Sequence, residues 1–167
     1  MEFENLIIEA SLKAGAEIID VYQRKISVEE KDDKSPLTEA DKRSHLAIQA
    51  ALDTTDIPTL SEEGKQMDYS VRSGWNKFWL VDPLDGTKEF IKKNGEFTVN
   101  IALIENGAPI YGVIYAPVLK KLFVGEVGKG AWIAEGVETN TPVQDIYSKK
   151  ESIPKSKPAE PYIVVAS

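Results

Sequence analysis

The chain has 167 residues, 42% of them hydrophobic, a length that suits one sizeable core and predicts one domain. It has no cysteine and a single histidine, which excludes disulfides and thiol catalysis and argues against a histidine-rich zinc site. Its formal charge is −7 without a long Lys/Arg run, which argues against nucleic-acid binding. It shows neither a signal-peptide pattern nor a transmembrane-length apolar run, a combination that indicates a soluble, cytoplasmic protein.

The first third of the chain has helical periodicity. Apolar residues across positions 3–22 recur at steps of three and four, which predicts an amphipathic helix. A short strand is predicted over residues 26–30. Thr38 followed by Asp41 resembles a capping box, so a second helix is predicted from there to about Leu52.

The middle of the chain has the texture of a β-meander. The predicted strands cover residues 57–60, 78–81, 98–104, 110–115, 121–126 and 131–134. Asn106-Gly107 between two of them is a strong hairpin signal. Two helices followed by these strands predict an α+β fold in which the helices pack on a largely antiparallel sheet.

The end of the chain predicts a domain boundary. Residues 148–161 are rich in Lys, Ser and Pro, as in a linker, and residues 162–166 form an apolar strand pattern. We therefore expect one domain over 1–147, a linker over 148–161, and in 162–167 the first strand of a second α/β domain that is missing from this chain. The alternative is an ordinary terminal edge strand.

Four acidic residues stand at predicted element boundaries. Asp82 and Asp85 end an apolar strand in the segment 79–90, Asp41 lies early in the second helix, and Glu62 follows another strand. Loops at one end of a sheet lie together, so these carboxylates are expected to converge. Because carboxylates held close repel one another, the pattern favours cations between them, and oxygen ligands favour magnesium. The pattern predicts metal-assisted phosphate chemistry.

Each of these residues also has an ordinary structural interpretation. Asp41 is more often a capping residue, and Glu62-Glu63 alone is a solvated acidic turn. The sequence Asp-Pro-Leu-Asp-Gly over 82–86 is commonly a tight turn, and Thr87 alone is a helix N-cap. His45 is interpreted as structural or superficial. The lysines that either steer an anionic substrate or form a solvated basic face are Lys88, Lys92 and Lys93.

Three motifs together carry a family resemblance: Ser-Pro-Leu-Thr-Glu-Ala-Asp at 35–41, Ser-Glu-Glu-Gly at 61–64, and Trp-Leu-Val-Asp-Pro-Leu-Asp-Gly-Thr at 79–87. In combination they resemble the inositol monophosphatase superfamily of magnesium-dependent, lithium-sensitive phosphatases. The continuation over 88–91 and 94–103 is similar to the 3′(2′),5′-bisphosphate nucleotidase branch. The resemblance implies the N-terminal half of a layered α/β sandwich.

The resemblance also implies a metal centre with two or three Mg²⁺ ions in an intact site. Glu62 would ligate the first metal and orient the attacking water, and Asp82 would bridge two metals. The Leu84 carbonyl would complete the first metal's ligands, and Asp85 would ligate the second metal. The residues that the resemblance places beside the substrate phosphate are Glu62, Leu84, Asp85, Gly86 and Thr87.

The same resemblance assigns the proton chemistry. The Thr87 hydroxyl, hydrogen-bonded to Asp41, would activate the water, and the Gly86 and Thr87 N–H groups would bind the phosphate. A hydroxyl beside a carboxylate is a general-base arrangement, and N–H groups stabilise phosphoryl charge. Metal-activated water would then attack the phosphorus of a phosphomonoester directly.

The implied function is removal of the 3′-phosphate from adenosine 3′,5′-bisphosphate, giving AMP, with its sulfated relative as a second candidate substrate in sulfate assimilation. A sugar-phosphate phosphatase of the inositol monophosphatase type is the alternative. The family's Trp-Asp metal motif is absent, so a non-catalytic metal- or anion-binding fragment is a third interpretation. The expected partner is a small phosphorylated nucleotide rather than nucleic acid. Oligomeric state and peripheral association with the cytoplasmic face of the inner membrane stay open.

Overall fold

Two long helices lie on a largely antiparallel sheet, as the sequence predicts, and seven strands of that sheet are described. The computed structural model describes residues 3–24, 36–64 and 67–154. The helices are α1 (Glu4–Gln23), α2 (Pro36–Leu52), α3 (Tyr69–Arg72), α4 (Thr87–Lys92) and α5 (Val143–Ser148). The strands are β1 (Thr59–Ser61), β2 (Lys77–Asp85), β3 (Thr98–Glu105), β4 (Ala108–Ala116), β5 (Lys121–Glu126), β6 (Gly130–Glu135) and β7 (Glu151–Ile153). The α+β class is confirmed.

The strands follow one another across the sheet in sequence order, β1 to β7. β1 pairs with β2 in parallel, whereas the five other pairs of described strands are antiparallel. Between β3 and β4, Asn106 and Gly107 both have positive φ (52° and 78°), the backbone that a two-residue hairpin requires. The predicted hairpin is confirmed.

The core lies between the long helices and one face of the sheet. Alternate residues of β3, Val99, Ile101 and Leu103, are buried, as expected for a strand with one covered face. They belong to one apolar cluster with Trp79 of β2 and Ile18 of α1, each fully buried. Burial of this apolar area is the main force holding the helices to the sheet.

The opposite face of the sheet is apolar but exposed. Leu80 and Ile114 there are 44% and 45% exposed. A row of small residues crosses the strands in register; it consists of Ala102, Gly112, Gly125 and Ala131. The groove along this face has a volume of about 830 Å³, and Glu62 and Asp82 contribute to its lining. The acidic residues thus open onto an apolar groove.

Four local predictions differ from the structure. Helix α2 begins at Pro36, so Thr38 lies inside the helix and the capping box is wrong. β2 does not end at Val81 but continues through Asp85. β7 pairs with β6 inside the segment predicted to be a linker, and the short helices α3, α4 and α5 were not predicted. The strands predicted over 26–30 and 162–166 lie outside the described residues. No helix in the described parts of the chain has the length and apolar character to span a bilayer.

Gly15 of α1 packs directly against Tyr115 of β4, and Gly15→Ala is expected to destabilise the protein. Alanine favours a helix by about 1 kcal/mol over glycine. Its Cβ, however, would lie 2.5 Å from Tyr115 Cε1, and Tyr115 is fully buried with its hydroxyl bonded to the Val137 carbonyl. Overpacking of this kind costs about 1–3 kcal/mol and outweighs the helix preference. Urea denaturation measures the difference, and a more stable Gly15→Ala variant would contradict the packing.

Gly125→Ala in β5 is the matched control for that substitution. An added Cβ there has its nearest neighbour at 3.9 Å, which is ordinary contact. This variant is expected to stay within about 0.5 kcal/mol of the original chain.

Candidate metal and phosphate site

The parallel pairing of β1 and β2 places two acidic residues side by side. Ser61, the last residue of β1, pairs with Val81 of β2, so Glu62 follows at the level of Asp82. The Glu62 N–H donates to the Val81 carbonyl over 3.1 Å, which continues the pairing beyond β1. The carboxyl ends of parallel strands meet at one edge of a sheet, and two carboxylates therefore become neighbours here.

Asp82 and Asp85 flank a β-bulge rather than a strand end. Asp82 pairs with Asn100 and Asp85 with Thr98, so Pro83 and Leu84 lie opposite the single residue Val99. Inside the bulge the Leu84 N–H donates to Asp82 Oδ1 over 3.2 Å. The bulge lets the strand bend at the proline while both aspartates stay anchored to the sheet.

Gly86 connects β2 to α4 through a left-handed backbone. Its φ is +90°, and an added Cβ would lie 3.0 Å from the Glu96 carbonyl oxygen, so both the backbone and the space require glycine. Helix α4 begins at Thr87, an exposed residue, which makes Gly86 the N-cap in place of Thr87. The first N–H groups of a helix have no acceptor inside it, and those near Gly86 lie directly after Asp85.

Helix α2 contributes Asp41 to the same edge. Its Oδ1 is buried without a hydrogen-bond partner, and its carboxyl is hydrogen-bonded to Glu63. Burial, Glu63 and then the charges of Asp82 and Glu62 raise the pKa of Asp41 to about 7. A half-buried carboxyl surrounded by other carboxylates is costly to ionise unless a cation lies nearby.

Asp82 experiences the same repulsion. Burial first, then the charges of Glu62, Asp85 and Glu63, raise its pKa to about 6, although the Leu84 N–H bond acts in the opposite direction. The two raised pKa values belong to one acidic cluster, defined here as Asp41, Glu62, Glu63, Asp82 and Asp85. A buried oxygen without a partner and donors that are all oxygen fit a hard divalent cation.

The structure brings the predicted residues to one edge but does not complete two expected contacts. Within residues 3–24, 36–64 and 67–154, no three acidic or histidine side chains lie close enough together to enclose an ion. Nor does a hydrogen bond join Thr87 to Asp41 Oδ1 in this part of the chain, since that buried oxygen has no hydrogen-bond partner. The metal and phosphate roles of the individual residues remain predictions.

The free energy of unfolding of the metal-free protein is expected to fall as the pH rises from about 4 to about 7. The unfolded chain releases the Asp41 and Asp82 protons near their ordinary pKa of 3.8, whereas the folded protein holds them to about 7 and about 6. Between those values the folded state binds more protons, so stability decreases with pH. Urea denaturation in EDTA at several pH values measures the slope. An unchanged slope in Asp41→Asn/Asp82→Asn would contradict this origin.

The lysines after Gly86 do not form one basic face. Lys93 lies against the Tyr22 ring, with its Nζ 4.1 Å from the ring centroid, and donates to the Tyr22 carbonyl. Burial lowers its pKa. Lys92 lies 4.0 Å from Glu89. Lys93 therefore joins α4 to α1, and a role of these lysines in steering an anionic substrate stays a prediction.

The sequence prediction missed several residues that shape the cluster. Glu63 is the first charge acting on Asp41, and it lies in an exposed turn, as the sequence predicted. Asn100 Nδ2 donates to Asp85 Oδ2 over 3.2 Å, and Ser44 and His45 of α2 bond to the two acidic loops. Asn100 could not be assigned to the site from the sequence alone, because its pairing with Asp82 is known only from the strand register.

Comparison with known proteins assigns the family. A family model for the inositol monophosphatase family matches residues 1–161. The chain belongs to the inositol monophosphatase family.

Among the curated proteins, the chain is similar to the 3′(2′),5′-bisphosphate nucleotidase CysQ of Salmonella typhimurium. The two are 49% identical over 144 residues, which cover 83% of this chain and 58% of that protein. CysQ of Escherichia coli K12 is 48% identical over the same coverage. The chain thus spans a little under three fifths of the length of these curated relatives.

Solved structures show the same similarity. CysQ from Bacteroides thetaiotaomicron, described as a bacterial member of the family, superposes with a TM-score of 0.82 and 48% identity, covering 93% of this chain and 58% of that one. The inositol monophosphatase from Anabaena gives a TM-score of 0.64 at 31% identity, covering 79% and 46%. The predicted superfamily is confirmed, and the similarity to proteins named CysQ agrees with the predicted bisphosphate nucleotidase branch.

Proposed function

We propose that this chain supplies the metal- and phosphate-binding part of a magnesium-dependent phosphomonoesterase. The observation that carries the proposal is the acidic cluster at the ends of β1 and β2. The charges of its members raise the pKa values of Asp41 and Asp82, and one buried Asp41 oxygen has no hydrogen-bond partner. Carboxylates gathered at this cost are typical of a cation site at a functional centre.

Glu62, Asp82, Asp85 and the Leu84 carbonyl are the groups that would hold two or three magnesium ions. Magnesium bound there would neutralise charge on the transferring phosphoryl group and favour ionisation of the attacking water. Asp82 lies between Glu62 and Asp85 in the chain, and both raise its pKa, which suits a residue shared between two ions. The bulge holds the Leu84 backbone in the same loop.

The remaining roles fall on the protein's own proton donors and acceptors. Glu62 orients the attacking water. The exposed Thr87 hydroxyl accepts a proton from that water and passes its own proton to Asp41. The backbone N–H groups of Gly86 and Thr87 stabilise charge on the phosphate, beside Glu62, Leu84 and Asp85. On this proposal the Thr87 hydroxyl bonds to Asp41 once substrate is bound.

The proposed substrate is adenosine 3′,5′-bisphosphate, hydrolysed at its 3′-phosphate to AMP, with the sulfated relative as a second candidate. Support comes from the similarity to proteins named 3′(2′),5′-bisphosphate nucleotidase at 49% identity. Such an activity would recycle a by-product of sulfate assimilation in the cytoplasm. Sensitivity to lithium accompanies this proposal as a property typical of the family.

The experiment that tests the proposal is phosphate release by the full-length protein with and without Mg²⁺. Adenosine 3′,5′-bisphosphate should be hydrolysed faster than an inositol monophosphate, and EDTA should stop both reactions. Preference for the inositol phosphate would favour the second candidate, a sugar-phosphate phosphatase. The similarity to the Anabaena inositol monophosphatase, at 31% identity, supports that second candidate.

We also propose that additional polypeptide covers the exposed face of the sheet and completes the substrate pocket. The apolar groove of about 830 Å³ beside Asp82 and the greater length of the curated relatives support this domain arrangement. On this proposal residues 1–167 alone bind metal or anions without normal turnover. Near-normal hydrolysis by residues 1–167 alone would contradict it.

A further inference from the structure

Helix α2 makes a hydrogen bond to the bulge of β2 through Ser44. The Ser44 hydroxyl donates to the Pro83 carbonyl over 2.7 Å, and Ser44 is fully buried. Pro83 lies in the bulge between Asp82 and Asp85, where regular pairing with β3 is interrupted. The bond therefore holds a carbonyl that the irregular ladder leaves available, and it holds it between the two aspartates.

The same helix makes a second hydrogen bond, to the end of β1. His45 Nδ1 lies 2.9 Å from Ser61 Oγ, and both side chains are half-buried. Ser61 immediately precedes Glu62 and Glu63, and its carbonyl accepts from the Gly64 N–H over 3.0 Å, which closes the turn. His45 thus bonds to the residue on which this acidic turn is built.

Asp41, Ser44 and His45 occupy one face of α2, because residues three and four positions apart are neighbours on a helix. Other contacts of α2 fix the helix against α1 and the core. Arg43 bridges to Glu17 and Asp20 of α1, over 2.6 Å and 2.8 Å, and Ile48 of α2 is buried in the core. Helix α2 is therefore fixed in place and bonds to both acidic loops, so it can set the distance between them.

We infer that Ser44 and His45 are positioning residues that set the spacing between the Glu62–Glu63 turn and the Asp82–Asp85 bulge. The inference rests on the proposed function for its consequence in catalysis but on the two hydrogen bonds for its geometry. Five acidic residues at one edge repel one another, so without restraint the two loops spread apart. Bonds from a common helix oppose this spreading and keep the carboxylates at a distance that a shared cation can bridge.

The test compares Ser44→Ala and His45→Ala with the matched control Gln49→Ala. Gln49 lies on the same helix and also forms one hydrogen bond, to Asp53, but away from the acidic cluster. Amide hydrogen exchange reports loop opening without any need for activity. Exchange at residues 84–87 should rise about tenfold in Ser44→Ala, and exchange at 62–64 should rise similarly in His45→Ala. Gln49→Ala should match the original protein at both loops.

A second readout separates positioning from simple loss of stability. In the full-length enzyme with Mg²⁺, Ser44→Ala and His45→Ala should each lower kcat by about 10–100-fold with little change in KM. His45→Gln should recover most of the loss of His45→Ala by restoring a bond to Ser61. Exchange and kcat equal to those of Gln49→Ala would overturn the inference. If the unsubstituted full-length protein had no phosphatase activity, the proposed function alone would be overturned. The hydrogen-exchange result does not depend on activity.

Discussion

On the proposed function, replacing Asp82 with asparagine is expected to lower kcat/KM of the full-length protein by about three orders of magnitude or more. Asp82 lies beside Glu62 at the end of the parallel strand pair and is shared, on the proposed function, between two ions. The substitution removes a charge without removing core packing, since the side chain is only half-buried. Phosphate release in Mg²⁺ measures the loss.

Two further observations make the Asp82 result specific. Asp56→Asn changes an exposed aspartate near β1 and should leave kcat/KM within about twofold. The metal-free Asp82→Asn protein should be at least as stable as the original above about pH 7, because a repelled carboxylate has been removed. Full turnover in Asp82→Asn would disprove the metal assignment, whereas an unfolded variant would disprove the structural account of Asp82.

Asp41→Asn is expected to change activity and stability in opposite directions. The asparagine can donate to the Glu63 carboxylate where Asp41 forms a carboxyl–carboxyl bond, and it carries no charge to be repelled. The metal-free variant should therefore melt about 2–4 °C higher at about pH 8. Loss of the proton acceptor should lower kcat by about 10²–10⁴-fold. Thermal unfolding in EDTA and phosphate release in Mg²⁺ measure the two effects.

Glu39→Gln is the control on the same helix. Glu39 pairs with Arg24 and Arg43 over 2.8 Å and 3.2 Å, so losing its charge should leave stability unchanged or slightly lower. A rise in melting temperature in both variants would indicate a general charge effect. A fall in Asp41→Asn would contradict the repulsion inferred for the cluster.

The strands and helices that carry the site were predictable because their signals are local. The spacing of apolar residues predicts α1, and Asn106-Gly107 predicts the hairpin between β3 and β4. Asp82 and Asp85 were identified because acidic residues at the end of an apolar strand are unusual there. These inferences need only neighbouring residues, which a single sequence supplies.

The arrangement of the cluster was not predictable in the same way because it depends on pairing between distant segments. A proline in an apolar strand ordinarily ends it, yet the bulge opposite Val99 lets β2 continue through Asp85. The importance of Glu63 depends on Asp41 approaching from α2, and that approach depends on helix packing. The bonds from Ser44 and His45 are equally remote, spanning 39 and 16 residues.

The repulsion within the acidic cluster is related to the stability of the fold. Helices α1 and α2 bury the core face of the sheet and stabilise the fold. This stability offsets the repulsion within the acidic cluster. A divalent cation that binds only the folded protein relieves this repulsion and adds to stability through mass action. The gain in stability on adding a divalent cation therefore measures how strongly the folded protein binds that cation.

The most direct test of the account is the position of a bound divalent ion. Anomalous diffraction from crystals soaked in Mn²⁺, used in place of Mg²⁺, should show an ion within about 2.0–2.6 Å of carboxylate oxygens from Glu62 and Asp82. A second ion beside Asp85 would agree with Asp82 as a bridge. An ion bound elsewhere, or a saturating soak that leaves Glu62 and Asp82 without an ion, would contradict the central claim.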